Sequence, residues 1–228
     1  MAGLILSGPG GTGLAAVTGP CRVPEVLLTF DSDLKRMERL VDRSQPVRIL
    51  LIGPQPDRQA MSGKKRTRLE IELSRRLPDI TFTIIDEGPS RGLARDDFGR
   101  IRMAAEEQAP DLIIWQVGTG DALAATDPAD FDRTLERAAD WLRGRDIDLV
   151  LIDPPYVPGV AHEQLYGRIV KQIDAISERE HMNVVQQYGA TSFLAAAGGG
   201  MAPSGTVSGG RLCMPELIAE AIVRAAIR

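Results

Sequence analysis

From residue 47 onward, short apolar runs alternate with longer stretches in which apolar residues recur every three or four positions. Val47-Arg48-Ile49-Leu50-Leu51-Ile52 is almost continuously apolar and stops at Gly53, the pattern of a strand covered on both faces. Comparable runs lie at 80–85, 112–117, 148–152 and 183–186. Between them, residues 67–76, 95–108, 127–143 and 162–179 read as helices. Phe131, Leu135, Ala138 and Leu142 form one apolar stripe, and Leu165, Ile169, Ile173 and Ile176 another. A last helix is expected over 215–227, with Pro215 in its first turn. Five alternations of strand and helix predict a doubly wound parallel sheet with helices on both faces. Such sheets carry their sites at the carboxyl ends of strands. The loops after residues 52, 85, 117, 152 and 188 are therefore where chemistry is expected. Residues 195–210, rich in Gly, Ala and Ser, read as a flexible loop on that same face.

Composition narrows the picture. The chain has 228 residues, 43% hydrophobic and 25% charged, which supports a packed core and argues against disorder. A net charge of -4 gives no general electrostatic reason to bind nucleic acid or an anionic membrane. No apolar run approaches the ~20 residues of a membrane-spanning helix. Residues 1–19 contain no Lys or Arg ahead of Leu4-Ile5-Leu6, so they lack the basic start of a secretory signal. They read as an unstructured arm, and export stays open. Two cysteines, Cys21 and Cys213, allow two readings: two buried thiols, or one bridge tying the N-terminal segment to the last helix. A bridge persists only in an oxidising compartment.

Several motifs carry less than their spelling suggests. Gly8-Pro9-Gly10-Gly11-Thr12-Gly13 has dinucleotide-loop spacing, yet Gly19-Pro20 cuts short the helix such a loop must open. Gly63-Lys64-Lys65 lies too far from Gly53 for a phosphate loop, and no Ser or Thr follows Lys64. Nothing in the Cys and His spacing suggests a zinc site or calls for a cofactor.

The loop after the third strand says more. Trp115-Gln116-Val117-Gly118-Thr119-Gly120-Asp121-Ala122 resembles the block W-x-x-G-T-N-D-A of SGNH (GDSL-type) hydrolases. Residues 48–53 resemble that family's first strand and its exit, Asp86-Glu87-Gly88 its second block, and residues 151–156 its fourth strand. The segment around Cys21-Arg22-Val23-Pro24 resembles an N-terminal extension of exported bacterial members, and Ala219-Glu220-Ala221-Ile222 the C-terminal helix. The resemblance implies a flavodoxin-like three-layer α/β sandwich of about five parallel strands over 47–228, preceded by an arm and extension over 1–46.

The family's chemistry does not carry over. The nucleophile position, two residues after the first-strand Gly, is Gln55, and an amide cannot carry an acyl group. Gly88 retains the backbone N–H of an oxyanion hole, but the family's Asn donor position is Gly120. The stretch 206–214, where the family has D-x-x-H, holds neither Asp nor His. The resemblance thus implies a degenerate, non-catalytic member: a binding or scaffold domain whose pocket is lined by Gly53, Gln55, Gly88, Thr119, Gly120 and Asp121. Its implied ligand is a small molecule or hydroxyl-rich glycan, and its implied setting the bacterial envelope. The alternative is an esterase or acyl transferase with a relocated set, Ser62 and His162 with Asp153. His181 precedes the fifth strand and belongs at the opposite end of the sheet.

Overall fold

The structure is a computed structural model that describes residues 19–53, 66–89, 92–159, 163–197 and 208–227. Strands β1 (Val47–Ile52), β2 (Phe82–Gly88), β3 (Leu112–Gln116), β4 (Asp148–Ile152) and β5 (Asn183–Val185) form one parallel sheet in the order β2-β1-β3-β4-β5. Alternate side chains feed two separate cores, which is why these runs are continuously apolar. Ile49, Leu51, Leu112, Ile114 and Val150 face one core. Leu50, Ile52, Ile113, Trp115 and Leu151 face the other.

Helices α1 (Lys35–Asp42), α2 (Arg68–Arg76) and α8 (Ser208–Ala226) cover the first face, and Met37, Leu73 and Ile222 are buried there. Helices α3 (Ala94–Gln108), α5 (Pro128–Arg143) and α6 (Glu163–Glu180) cover the second through Ile101, Leu135 and Ile173. The short α4 (Thr119–Ala124) and α7 (Gln187–Ala197) start beside the carboxyl ends of β3 and β5.

Local signals set some of these elements. Thr67 caps α2 by accepting from the Glu70 N–H, and Glu70 is the acidic partner of a capping-box spacing. Asp127 caps α5 ahead of Pro128. In three places the sequence expectation and the fold differ. Helix α8 begins at Ser208, so Pro215 lies inside it. Burial of Met214, Leu217 and Ile218 on both sides of the proline outweighs its preference for a first turn. Helix α7 runs to Ala197, where a loop was expected from residue 195. It carries no charge and only a weak stripe, so periodicity does not reveal it. Helix α1 was not expected at all: its N-cap, Leu34, offers no capping side chain. Its first turn is closed instead by Asp148 at the start of β4, which accepts from the N–H groups of Arg36 (3.2 Å) and Met37 (2.8 Å).

The segment before β1 is integrated with the sheet. Val23, Leu28, Phe30, Leu34 and Leu40 are buried in the first core. Cys21 forms a disulfide with Cys213 of α8, 192 residues away in sequence. A buried ion cluster reinforces the same face: Arg76 of α2 donates to Glu220 of α8 at 3.0 Å, and Glu220 also takes Arg224 at 2.9 Å.

In the chain-entropy picture, a cross-link closing so long a loop stabilises the fold by about 4–5 kcal/mol. Urea denaturation with and without reductant should show a loss of about 2–5 kcal/mol on reduction. Equal midpoints, or two free thiols by mass analysis of the oxidised protein, would contradict the bridge.

Candidate functional site

The carboxyl edge of the sheet is built by close backbone contacts. The Gly53 N–H donates to the Gly88 carbonyl at 3.0 Å, just past an irregularity between Leu51 and Ile52, and holds the ends of β1 and β2 together. Gly53 has φ +150°, and a β-carbon there would lie 2.5 Å from Cβ of Gln116, so only glycine lets β1 pass the end of β3. Gln116 is buried and donates through Nε2 to Oε1 of Gln187 at 3.1 Å. This amide pair joins β3 to the first residue of α7. Beside it, the half-buried rings of Tyr156 and Tyr188 meet edge to face with centroids 5.3 Å apart. Tyr156 is fixed by its N–H, which donates to Oγ1 of Thr191 at 2.8 Å. Burial raises the Tyr188 hydroxyl above its ordinary value, and the charge of nearby Glu163 adds to this.

The structure gives several sequence-derived candidates other employment. Gly88, read as retaining the backbone N–H of an oxyanion hole, donates it to Oδ1 of Asp86 at 2.9 Å. Gly120 has no room for a side chain, because a β-carbon there would overlap the carbonyl oxygen of Gly92. An acceptor thus backs the position where the resemblance implies a donor. Asp121, only 3% exposed, turns its carboxylate to the N–H of Ala94 at 2.9 Å. It closes the first turn of α3, whose N-cap Leu93 has no capping side chain. Thr119 opens α4, and its Oγ1 is buried without a hydrogen bond to any described residue. Asp153, 1% exposed, accepts from the Tyr188 N–H at 3.0 Å and closes the first turn of α7. Gln55, Ser62 and His162 lie outside the described residues, as do the Gly8 motif and the Lys64-Lys65 loop. Cys21 and Cys213 are joined to each other rather than to this edge. Among the described residues, no group of three His, Cys, Asp or Glu is arranged to hold a metal, and no helix is long and apolar enough to cross a membrane.

Gln116, Tyr156, Gln187 and Tyr188 escaped the sequence reading. A partial signal existed, since two of the three tyrosines lie within four residues of the ends of β4 and β5. Their pairing depends on the sheet order and leaves no trace in spacing.

Burial dominates the electrostatics. It pushes the Asp153 carboxyl up to about 8, against the opposing pull of the Tyr188 and Gln187 N–H groups. Burial likewise raises Asp121, and it takes Asp148 to about 6. With a value of about 8, Asp153 is mostly neutral at pH 7.

The model of the Non-GDSL lipase-like family matches residues 20–228. No curated protein matches the chain. Among solved structures, an acetylxylan esterase from Geobacillus stearothermophilus is similar with a TM-score of 0.59 at 16% identity, over 80% of this chain and 96% of that one. A psychrotrophic esterase from Pseudoalteromonas sp. gives 0.57 at 12% identity, over 77% and 97%. A lipolytic protein of the G-D-S-L family from Veillonella parvula gives 0.55 at 18%, over 75% and 96%. At such identities these likenesses establish a shared fold, and activity has to be argued from the site.

Two measurements check the geometry. Gly120→Asn, the substitution that restores the family donor, should cost about 1–3 kcal/mol in urea denaturation through overlap with Gly92. A cost near zero would mean the position is open. The raised Asp153 value means that the folded state holds its proton more tightly than the unfolded chain, whose value is 3.8. The associated stability is complete below 3.8 and is lost as pH rises toward 8. Between pH 6.5 and 8, where Asp148 is mostly ionised, stability should fall by up to about 1.4 kcal/mol per pH unit. Asp153→Asn should remove most of that slope, and an unchanged slope would assign the titration elsewhere.

Proposed function

The chain belongs to the Non-GDSL lipase-like family, with the SGNH/GDSL hydrolase fold, and on that premise we propose that it is a non-catalytic member that binds a hydroxyl-rich ligand at the carboxyl edge of its sheet. The observation that carries the reading is the Gly88 N–H, which is committed to the Asp86 carboxylate. An oxyanion hole works by aiming free donors at developing negative charge. Here one donor is occupied, and the carboxylate occupying it would repel an oxyanion. The carbonyl of Gly92 behind Gly120 acts in the same sense. Gln55 at the nucleophile position and the absence of Asp and His over 206–214 agree with it.

Support for the ligand class comes from what the edge presents. Tyrosine offers an apolar ring face and a polar hydroxyl, and the glutamine amide both donates and accepts. A sugar has matching parts: C–H faces and hydroxyl groups. Tyr188 follows Gln187 of the Gln116–Gln187 pair and packs edge to face on Tyr156, which puts aromatic and amide groups at the same edge. The Cys21–Cys213 bridge supports an oxidising compartment, in keeping with the bacterial envelope.

The test runs turnover and binding side by side. Purified full-length protein is offered short-chain p-nitrophenyl esters and acetylated xylo-oligosaccharides, together with a serine-reactive fluorophosphonate. The expected result is no turnover and no labelling, with saturable oligosaccharide binding that Tyr156→Ala weakens by about fivefold or more. Labelling at Ser62 with turnover lost in His162→Ala would establish the relocated esterase instead and sink the non-catalytic reading. Binding unaffected by Tyr156→Ala would remove the aromatic edge from the ligand site.

A further inference from the structure

A cavity of about 650 Å³ opens at the opposite pole, against the amino ends of β4 and β5. It lies between residues 31–35, the turn from α5 into β4 at 143–149, and the turn from α6 into β5 at 179–183. Its volume falls within the range of small-molecule pockets. The apolar part of its wall comes from Leu34, Ala139, Ile147, Leu149 and Met182, and the rest is charged or polar.

Most of those charges are already satisfied. Arg143 donates to Asp140 at 2.7 Å, and Arg179 donates to Glu136 at 2.8 Å. Asp146 takes Arg39, and Asp148 takes the first N–H groups of α1. Paired groups have little left to offer a ligand. Lys35, His181 and Asp31 carry no side-chain hydrogen bond or ion pair to a described residue. Asn183 is the informative wall residue. It is 3% exposed, and its Oδ1 accepts from the Ser32 N–H at 3.0 Å, which fixes the orientation of the amide. Its Nδ2 is therefore turned away from Ser32 and donates to no described residue. The nitrogen is not among the fully buried atoms, so it borders the cavity as an open donor that a ligand oxygen can take.

The unpaired groups are thus chiefly donors: Asn183 Nδ2, the Lys35 ammonium and the His181 imidazole. Together with the apolar wall they select an oxyanion that carries a hydrocarbon body. Asp31, Asp33 and Glu180 also border the cavity and weigh against a dianion such as phosphate, because repulsion grows with ligand charge. We propose that this amino-pole cavity is a binding site for a small monocarboxylate with a short apolar body, the carboxylate held by Asn183, Lys35 and His181 and the body lying on Ile147, Leu149 and Met182. The site is separate from the carboxyl edge, so it stands whether or not the protein cleaves esters.

The test records amide ¹H–¹⁵N spectra of the full chain during titration with sodium hexanoate, hexylammonium chloride or sodium phosphate at constant ionic strength. Hexanoate should shift amides in 31–35, 143–149 and 179–183 saturably at millimolar concentration, leaving Gly53 and Gly118 unmoved. Lys35→Gln, an exposed position that leaves the fold intact, should weaken binding by about fivefold or more. Saturable shifts from hexylammonium instead, phosphate binding as tight as hexanoate, or no saturable shift from any probe would each overturn the proposal. So would hexanoate binding that is indifferent to Lys35→Gln.

Discussion

Three aspartates hold the backbone N–H groups of helices that lie far away in sequence, and much of the architecture follows from that arrangement. Asp148 closes α1, Asp121 closes α3 and Asp153 closes α7. A helix start leaves N–H groups without partners, and a carboxylate suits them both by hydrogen bonding and by the helix dipole. Each of these helices is thereby fixed to the sheet or to the loop beside it. Burial raises all three carboxyl groups above the ordinary range, while the N–H groups they accept from pull the other way.

This arrangement bears on function at the carboxyl edge. In a hydrolase, carboxylates and free backbone donors at that edge are what chemistry needs. Here Asp121 and Asp153 are committed to helix starts, and Gly88 is committed to Asp86. Among the described residues, this edge also holds a buried amide pair and two tyrosines packed edge to face. The opposite pole inverts this pattern: its charged rim is mostly paired, and a few donors around Asn183 stay open.

The sequence made the sheet legible because strands buried on both faces must be apolar at consecutive positions. Residues 148–152 read as a strand and form β4 with those bounds. The helix expected over 127–143 forms from Pro128, with Asp127 as its cap. Helices with a strong stripe or a local cap were readable. Helices α1 and α7, started by carboxylates from β4 and its exit loop, were not, because no nearby residue records the interaction. The candidate site divides in the same way. The glycines at the strand ends stood out as Gly53, Gly88 and Gly120, but whether their donors were free was a question of what lay against them.

The sequence by itself therefore determined the layer order, the two cores and the pole where family-like loops gather, since periodicity and strand-ending glycines are local properties of the chain. Only the tertiary structure decided which polar groups were spent on architecture. It brought Gly92 against Gly120, Asp86 to Gly88, Gln187 to Gln116 and Cys21 to Cys213. Apart from Asp86 and Gly88, these partners are separated by tens to hundreds of residues and meet because the strand order β2-β1-β3-β4-β5 stacks their loops at shared ends. A hydrogen bond or a steric overlap depends on distances of a few tenths of an ångström, and residue spacing along the chain carries no such distance.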